Sequence, residues 1–350
     1  MQDPSPASST LYRASALTAP RTVEVTRRAL APLPPQWVRV RFLYCGLCGT
    51  DLTMFDGGHH LPFPVSIGHE FIAEVTEVGS EVDWLQPGEV VTSDLNYRCG
   101  ACDQCRAQRS HLCREGQVGR FSNRGFADLG DLHASYLVSL GHDARRHLAL
   151  AEPLSCVLHA KRWAALEPDD RVLVIGAGGI GLCMAFALTM QPPVTTFDFS
   201  ETMPARRGLL EGAVGGNARG LAEPDGEYDV VFDVSGTEPG LRAACGHVRP
   251  GGRLCSMSHI GESGAAGFLY SDIMRLDVTF TVSYLNGERT TLHEAAALLA
   301  EEWDAGWDAL IEEVPFDQLA RTFETRRSTP FCKTIVRIAG SSSGGPSVRA

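Results

Sequence analysis

The stretch Arg171-Val-Leu-Val-Ile-Gly-Ala-Gly-Gly-Ile-Gly181 joins an apolar run to a glycine-rich turn, and residues 182–188 continue it as an apolar helical segment. A strand, a Gly-x-Gly-x-x-Gly turn and a helix in this order bring free backbone N–H groups at the helix start close to a pyrophosphate. We therefore predict a dinucleotide site at this turn. Its expected contacts are Gly176, Gly178, Gly179, Ile180 and Gly181.

A carboxylate downstream of the turn bears on the choice of nucleotide. Asp198 ends the next predicted strand, 194–198, and lies 17 residues beyond Gly181. A carboxylate at that place accepts hydrogen bonds from the ribose hydroxyls and repels a 2′-phosphate, which favours NAD over NADP. Arg206 and Arg207 follow closely and could hold a phosphate, but we interpret them as part of a solvated helix face.

The pattern around the turn predicts an α/β fold with two kinds of region. Residues 36–150 are mostly β in pattern, whereas strands and helices alternate after Glu152, which indicates a doubly wound parallel sheet. From about Thr290 the pattern is helix, strand, short helix and a last strand at 332–338, which we expect to rejoin the first region. The predicted strands of the alternating part are 171–175, 194–198, 229–233, 252–257 and 278–282, and its helices are 154–166, 179–190, 204–212 and 238–247.

The composition limits the class of protein. The formal net charge of −11 argues against nucleic acid or an anionic membrane surface as a partner. No apolar run approaches the roughly 18 residues needed to span a bilayer, and the N-terminus has no signal-peptide pattern. The odd number of cysteines, 11, favours thiols and metal ligands over disulfides. We therefore expect a cytoplasmic protein that acts on a small molecule.

Two groups of residues are candidate metal ligands. Cys99, Cys102, Cys105 and Cys113 follow the spacing Cys-x2-Cys-x2-Cys-x7-Cys, and four thiolates complete a closed tetrahedral zinc shell of the structural kind. A second group is dispersed along the chain. A thiolate, an imidazole and one or two carboxylates suit a catalytic zinc that keeps an open position. Its candidates are Cys48, His69, Glu70 and Glu152.

These motifs together resemble those of the zinc-containing medium-chain alcohol dehydrogenase family over about residues 11–338. The segments that carry the resemblance are Cys45-Gly-Leu-Cys-Gly-Thr-Asp51, Pro64-Val-Ser-Ile-Gly-His-Glu70, the four-cysteine segment and Glu152-Pro-Leu-Ser155. The last of these is closest to the polyol and threonine dehydrogenases of the family. The resemblance implies a GroES-like, mostly-β catalytic domain at 11–153 with a structural-zinc lobe at about 95–115. It also implies a Rossmann domain at 154–289 and a return to the catalytic domain at 290–338. The composition of residues 1–10 and 340–350 predicts disordered tails.

The resemblance also implies residue roles and cofactors. Cys48 and His69 should bind the catalytic zinc, with Glu70 or Glu152 completing the shell. Asp51 should orient the His69 imidazole, and Thr50 should hold the substrate hydroxyl and pass on its proton. The expected cofactors are two zinc ions per chain and NAD, with NADP the less favoured nucleotide. Family members commonly form homodimers or homotetramers, so we expect one of these states.

The sequence departs from the family pattern at several places. Thr53 stands where many relatives have the histidine that ends the proton relay, and His59 and His60 are candidate substitutes, although solvent-facing loop histidines are the simpler interpretation. The run 280–284 lacks the arginine that sorbitol-like enzymes use, which makes Tyr284 and Asn286 candidates either for substrate contact or for packing. We interpret Cys45 as a buried small residue.

The leading functional hypothesis is zinc-dependent, NAD-linked oxidation of a secondary alcohol to a ketone, or the reverse. The expected substrates are polyols, sugars or aminocyclitols such as 2-deoxy-scyllo-inosamine. Of the 31 basic residues only Lys161 and Lys333 are lysine, and this arginine-rich composition, together with the departures at 280–284, suggests a tailoring step in bacterial secondary metabolism. Alternatives are a threonine-type 3-hydroxy amino acid dehydrogenase, a zinc-containing reductase of a conjugated carbonyl or iminium group, and a binding protein on a retired enzyme scaffold.

Overall fold

The computed structural model of the chain describes residues 11–58, 62–96, 98–116, 124–194, 196–258, 274 and 276–338. The predicted disordered tails and the candidate relay residues His59 and His60 lie outside these ranges. Among the described residues, no helix combines the length and the apolar content that crossing a bilayer requires.

The first part of the chain is mostly β. Its elements are strands β1 (Leu11–Ala19), β2 (Thr22–Ala29), β3 (Trp37–Gly46), β4 (Glu70–Val78), β5 (Val90–Ser93), β6 (Leu129–His133) and β7 (Leu137–Ser139), with short helices α1 (Gly49–Phe55) and α2 (Asp103–Arg106). β3 is central, because β4 and β6 both pair with it antiparallel. Its alternate residues Val38, Val40 and Phe42 are fully buried, which is the period expected of a strand with one face on a core.

The middle part is a parallel sheet with helices between its strands. The elements are α3 (Ala151–Ala164), β8 (Val172–Ile175), α4 (Gly179–Met190), β9 (Phe197–Ser200), α5 (Pro204–Val214), β10 (Ala218–Leu221), β11 (Tyr228–Asp233), α6 (Glu238–His247), β12 (Val248–Ser256) and β13 (Thr279–Val282). The strand order β10-β9-β8-β11-β12-β13 is that of a doubly wound sheet, as predicted. Because the order reverses beside β8, a crevice opens at the carboxyl ends of the strands there.

The last part returns to the first sheet. Its elements are α7 (Arg289–Glu302), α8 (Ala305–Asp308), β14 (Ile311–Pro315), α9 (Leu319–Thr325) and β15 (Lys333–Arg337). β15 pairs parallel with β14 and antiparallel with β3. This pairing carries the start of β15 to the loop that follows β3, so Lys333 enters the region of Cys48. The domain boundaries themselves stay predictions.

The observed elements differ from the predicted ones mainly at short strands. The four predicted helices are present with ends within about three residues. The predicted strand 194–198 is wrong in position, because β9 starts at Phe197 and runs to Ser200, where its pairing with β8 ends at Ile175. The strand Ala218–Leu221 was not predicted, since it has four residues and is only half-buried.

Candidate active site

The loop after β3 places a cysteine at the start of α1. Cys48 is the N-cap of this helix, and its Sγ accepts a hydrogen bond from the Thr50 N–H at 3.4 Å. The Asp51 side chain accepts in return from the Cys48 N–H at 3.1 Å, which completes a capping box. Local helix chemistry therefore holds Cys48, Thr50 and Asp51 in one rigid turn.

A second turn brings in an imidazole and a carboxylate. Gly68 has a φ of +90°, and a Cβ there would lie 2.7 Å from the Phe126 ring, so only glycine fits before His69. His69 and Glu70 are both buried. The ligand atoms of Cys48, His69 and Glu70 lie within 4.8 Å of one another. The structure thus brings together three predicted ligands from two elements.

Charge and burial act in opposite directions on His69. Burial alone would lower its pKa, but the neighbouring Cys48 and Asp51 charges raise it above the usual value. The His69 Nδ1 lies 3.9 Å from the Asp51 Oδ1, which is longer than a hydrogen bond. The orienting role of Asp51 therefore stays a prediction. A cysteine sulfur, an imidazole and a carboxylate, of which the last two are buried, are a donor set that fits zinc.

Glu152 is a buried carboxylate close to this cluster. It lies in the first turn of α3, is 4% exposed and accepts a weak hydrogen bond from the Cys156 thiol at 3.6 Å. Burial, with the Glu70 charge, raises its pKa to about 7, although His69 and Lys333 act in the other direction. Its carboxylate is outside the 4.8 Å group of Cys48, His69 and Glu70. The choice between Glu70 and Glu152 as ligand therefore stays open.

The sequence interpretation missed one functional candidate, Lys333. Its Nζ forms a salt bridge with the Glu70 carboxylate, and the two side chains are only 3% and 1% exposed. A Cβ on Gly179 would lie 3.2 Å from the same Nζ, so the ammonium also borders the glycine turn. Its rarity was a usable signal, since Lys333 is one of two lysines in a chain that otherwise uses arginine.

The glycine turn has the shape expected of a phosphate-binding loop. Gly176 has a φ of +105°, and a Cβ there would lie 2.9 Å from the Ser235 Cα. A Cβ on Gly181 would lie 2.1 Å from the Gly176 carbonyl oxygen, so this glycine allows close packing of helix on strand. α4 begins at Gly179 after Gly178, without a side-chain cap. The N–H groups of Gly179 and Ile180 at this helix start suit an anion.

Asp198 does not lie at the crevice end of its strand. It is the second residue of β9, opposite Leu173, and its carboxylate accepts hydrogen bonds from Arg219 at 2.7 Å and Tyr228 at 2.6 Å. Burial opposes ionisation, but these two hydrogen bonds leave the pKa of Asp198 below its usual value. Both oxygens are already engaged, since Arg219 Nε also donates to the other one.

The four cysteines form a separate cluster on an outer lobe. Their ligand atoms also lie within 4.8 Å of one another, and all four residues are partly exposed. Backbone N–H groups of the lobe point at the sulfurs, as between Cys102 N and Cys99 Sγ at 3.3 Å. Such N–H groups lower the pKa of Cys102 to about 6. Four thiol donors in one loop fit a structural zinc.

The other residues considered in the sequence differ in their burial and in their contacts. Thr53 Oγ1 donates back to the Gly49 carbonyl at 3.1 Å, so it points along its own helix. Asn286 is buried and hydrogen-bonds to both Asp94 and Arg98, which favours an internal structural role. Tyr284 is 54% exposed. Cys45 is fully buried, as expected. The interpretation of Arg206 as solvated is wrong, because its side chain is 13% exposed and contacts Glu201.

Comparison with known proteins agrees with this geometry. Residues 34–142 match the alcohol dehydrogenase GroES-like domain. D-altritol 5-dehydrogenase of Agrobacterium fabrum is 30% identical over 316 residues, which are 86% of this chain and 92% of that protein. L-threonine 3-dehydrogenase of Saccharopolyspora erythraea is 32% identical over 235 residues, which are 62% of this chain and 68% of that protein.

A solved structure shows the same fold at lower identity. A zinc-binding dehydrogenase from Sinorhizobium meliloti 1021, solved with NADP, superposes with a TM-score of 0.82 at 24% identity and covers 94% of this chain and 100% of that chain. The sequence relatives, the matched domain and the two sheets together define the class. The chain belongs to the zinc-containing medium-chain alcohol dehydrogenase family, and it is an enzyme that uses a nicotinamide nucleotide.

Proposed function

We propose that this enzyme oxidises a secondary alcohol of a polyol, sugar or aminocyclitol to a ketone with zinc and NAD, or catalyses the reverse. The observation that carries the proposal is the position of Lys333. Its ammonium contacts Glu70 of the candidate zinc site and borders Gly179 of the dinucleotide turn. Hydride transfer needs the reacting carbon and the nicotinamide within contact distance, and neighbouring sites supply that.

The protein residues have distinct roles in this proposal. When bound, zinc would polarise the alcohol oxygen and the nicotinamide would accept hydride. Cys48 and His69 would hold the metal, with Glu70 or Glu152 completing the shell. Thr50 would hold the substrate hydroxyl and relay its proton, with Oγ1 accepting that proton as the Thr50 hydroxyl releases its own to water. Thr53 does not continue this path, since its hydroxyl is directed to the Gly49 carbonyl.

The substrate class rests on the relatives. The name D-altritol 5-dehydrogenase supports a polyol, and the name L-threonine 3-dehydrogenase keeps a 3-hydroxy amino acid as the second candidate. A secondary alcohol next to polar substituents is common to both. A reductase of a conjugated carbonyl or iminium group has no observation in its favour. A place in bacterial secondary metabolism stays a prediction from composition.

The proposal also includes a homo-oligomeric state and a location in a reducing compartment. Among the described residues β13 is the last strand of its sheet, and Val282 on it is 63% exposed. Contact of this apolar edge residue with its counterpart in a second copy would give a homodimer, or a homotetramer built from dimers. Cys48 and the four cysteines of the lobe are thiols, which is compatible with the predicted cytoplasmic location.

The test is formation of NADH with polyols, aminocyclitols and hydroxy amino acids, each offered with NAD and with NADP. We expect turnover of one class, and loss of at least about a thousandfold in Cys48→Ala because the metal loses its thiolate. Cys255→Ala is the matched control, since this residue is a buried member of β12 in the parallel sheet and belongs to neither metal cluster. Equal activity of the wild type and Cys48→Ala would overturn the proposal.

A further inference from the structure

The exit segment, residues 283–288, leaves the parallel sheet at its crevice edge. The last residues of β8, β11, β12 and β13 pair with one another across the sheet. Val282, which ends β13, is therefore level with Ile175, which directly precedes the glycine turn. A dinucleotide lies across both halves of a doubly wound sheet, so the exit segment borders the half of the crevice that β11, β12 and β13 form.

An arginine directly before the four-cysteine lobe, residues 99–113, holds the exit segment. Arg98 Nη2 donates to Asn286 Oδ1 at 2.9 Å, and Nη1 donates to the Gly287 carbonyl at 2.6 Å. Its Nε donates to Asp94 Oδ2 at 2.7 Å, and the Arg98 and Asp94 side chains are only 12% and 2% exposed. Since Asp94 directly follows β5, one guanidinium connects the lobe, the first sheet and the exit segment.

The other end of the lobe binds the next residue of the exit segment. The Ser110 N–H and hydroxyl donate to the two Glu288 carboxylate oxygens at 2.7 Å and 2.9 Å. The Ser110 carbonyl accepts from the Cys113 N–H at 3.0 Å. Arg98 directly precedes Cys99, whose N–H donates to the Cys113 Sγ at 3.3 Å. Both contacts with the exit segment therefore depend on the relative position of Cys99 and Cys113, which a bound metal would fix.

The exit segment has little room to move independently of the lobe. Gly287 has a φ of +64°, and a Cβ there would lie 2.3 Å from the His159 Nδ1 on α3. His159 is 9% exposed, and its Nε2 accepts from the Trp163 indole N–H at 3.0 Å, so the imidazole is held in place. The exit segment thus lies between the lobe and the helix that carries Glu152. Because packed interiors transmit strain, a displacement of the lobe displaces the exit segment.

We infer that the four-cysteine lobe orders the exit segment for dinucleotide binding, with Arg98 as the positioning residue. A segment that is ordered beforehand loses less conformational entropy when the nucleotide binds, so the metal-loaded lobe raises the affinity of the crevice. Coupling between two sites is reciprocal, so a bound nucleotide also raises the affinity of the lobe for its metal. This inference rests on the proposed function, because it presupposes a nicotinamide dinucleotide in the crevice and zinc in the lobe.

The first experiment is titration of the zinc-loaded, full-length protein with NADH. Arg98→Met should weaken NADH binding by at least roughly fivefold, the lower end of the usual coupling between two sites. Glu288→Ala removes the second contact from outside the lobe and should weaken NADH binding in the same direction. The matched control is Arg114→Met, because Arg114 also adjoins the lobe but forms an exposed pair with Asp103. It should change NADH affinity by less than about twofold.

The second experiment tests the reciprocal effect. The zinc affinity of the lobe is measured by competition with a chelator in a Cys48→Ser background, with and without saturating NADH. NADH should raise this affinity by at least roughly fivefold, and adding Arg98→Met should abolish the effect of NADH. A purely structural role of Arg98 would change the zinc affinity without changing its response to NADH.

Unchanged NADH affinity in both Arg98→Met and Glu288→Ala would overturn the inference, as would a zinc affinity of the lobe that does not respond to NADH. If Arg98→Met does not fold or loses its zinc, Glu288→Ala decides the first experiment, because it leaves every residue of the lobe in place. Failure of the wild type to bind NADH contradicts the proposed function itself, whereas tight binding that neither variant changes contradicts only this inference.

Discussion

The two metal clusters of this chain are built in opposite ways. The four cysteines come from residues 99–113, are partly exposed and receive hydrogen bonds from the N–H groups of their own loop. Cys48, His69 and Glu70 come from two turns of a sheet, and Glu70 is paired with Lys333 from the last strand. One cluster is a property of a short segment, and the other exists only in the assembled fold.

Their charges differ as much as their origins. Four thiolates would carry four negative charges in a small space, which only a strongly bound cation makes tolerable, so a metal bound there would hold the lobe together. At the other cluster the Lys333 ammonium offsets the Glu70 carboxylate, and Cys48 adds one thiolate. A metal bound there would receive less negative charge from its ligands and would retain more capacity to polarise a substrate oxygen. This comparison predicts which cluster serves stability and which serves chemistry.

The largest expected effect is a difference in the loss of stability when a cysteine of each cluster is substituted. We expect Cys102→Ser to lower the free energy of unfolding by at least about 5 kcal/mol, because a structural zinc site contributes its binding energy to folding. Cys48→Ser should lower it by about 1 kcal/mol or less and should abolish turnover. Thermal unfolding together with zinc analysis of both variants checks this. Equal destabilisation by the two substitutions would remove the distinction.

The next effect tests the contact between the zinc site and the dinucleotide turn. Lys333→Met leaves Glu70 charged and buried without its cation, which should cost about 3 kcal/mol of stability and weaken NADH binding. Lys161→Met is the matched control, since the Lys161 ammonium donates to the Ala187 and Gln191 carbonyls at the end of α4, away from the site. It should cost about 1 kcal/mol and leave NADH binding unchanged. Denaturant unfolding and NADH titration of both variants provide the measurement.

The sequence predicts what short segments determine. The glycine turn and the helices after it follow from local periodicity, and the four-cysteine cluster follows from spacing alone. The Lys333–Glu70 pair does not, because its partners are 263 residues apart in the chain and meet only when β15 joins β3. Family resemblance, not spacing, joined Cys48 to His69.

The error in the position of the predicted strand 194–198 has a specific physical origin. Val194 is buried and apolar, so it reads as the start of a strand, yet the ladder with β8 begins only near Phe197. Moving the strand by two or three residues moves its end from Asp198 to Ser200. In a strand of four residues such a shift decides which side chains lie at the crevice end of the strand. Local sequence patterns do not determine this register.

The smallest expected effect is the pH dependence of stability that protonation of Glu152 produces. Burial raises its pKa from 4.5 to about 7, so the folded protein binds this proton more tightly than the unfolded chain. Stability contributed by the protonated form is therefore present below pH 4.5 and is lost as pH rises to about 7, by roughly 2 to 3 kcal/mol. Glu152→Gln cannot ionise and should not show this loss. The measurement is the free energy of unfolding at pH 5 and pH 8 in a Cys48→Ser background, which keeps the metal of the lobe. The prediction is wrong if the free energy of unfolding changes with pH in the same way with and without Glu152→Gln. Glu152 would then be as accessible to water as the partly exposed four-cysteine lobe, and burial would not distinguish the two clusters.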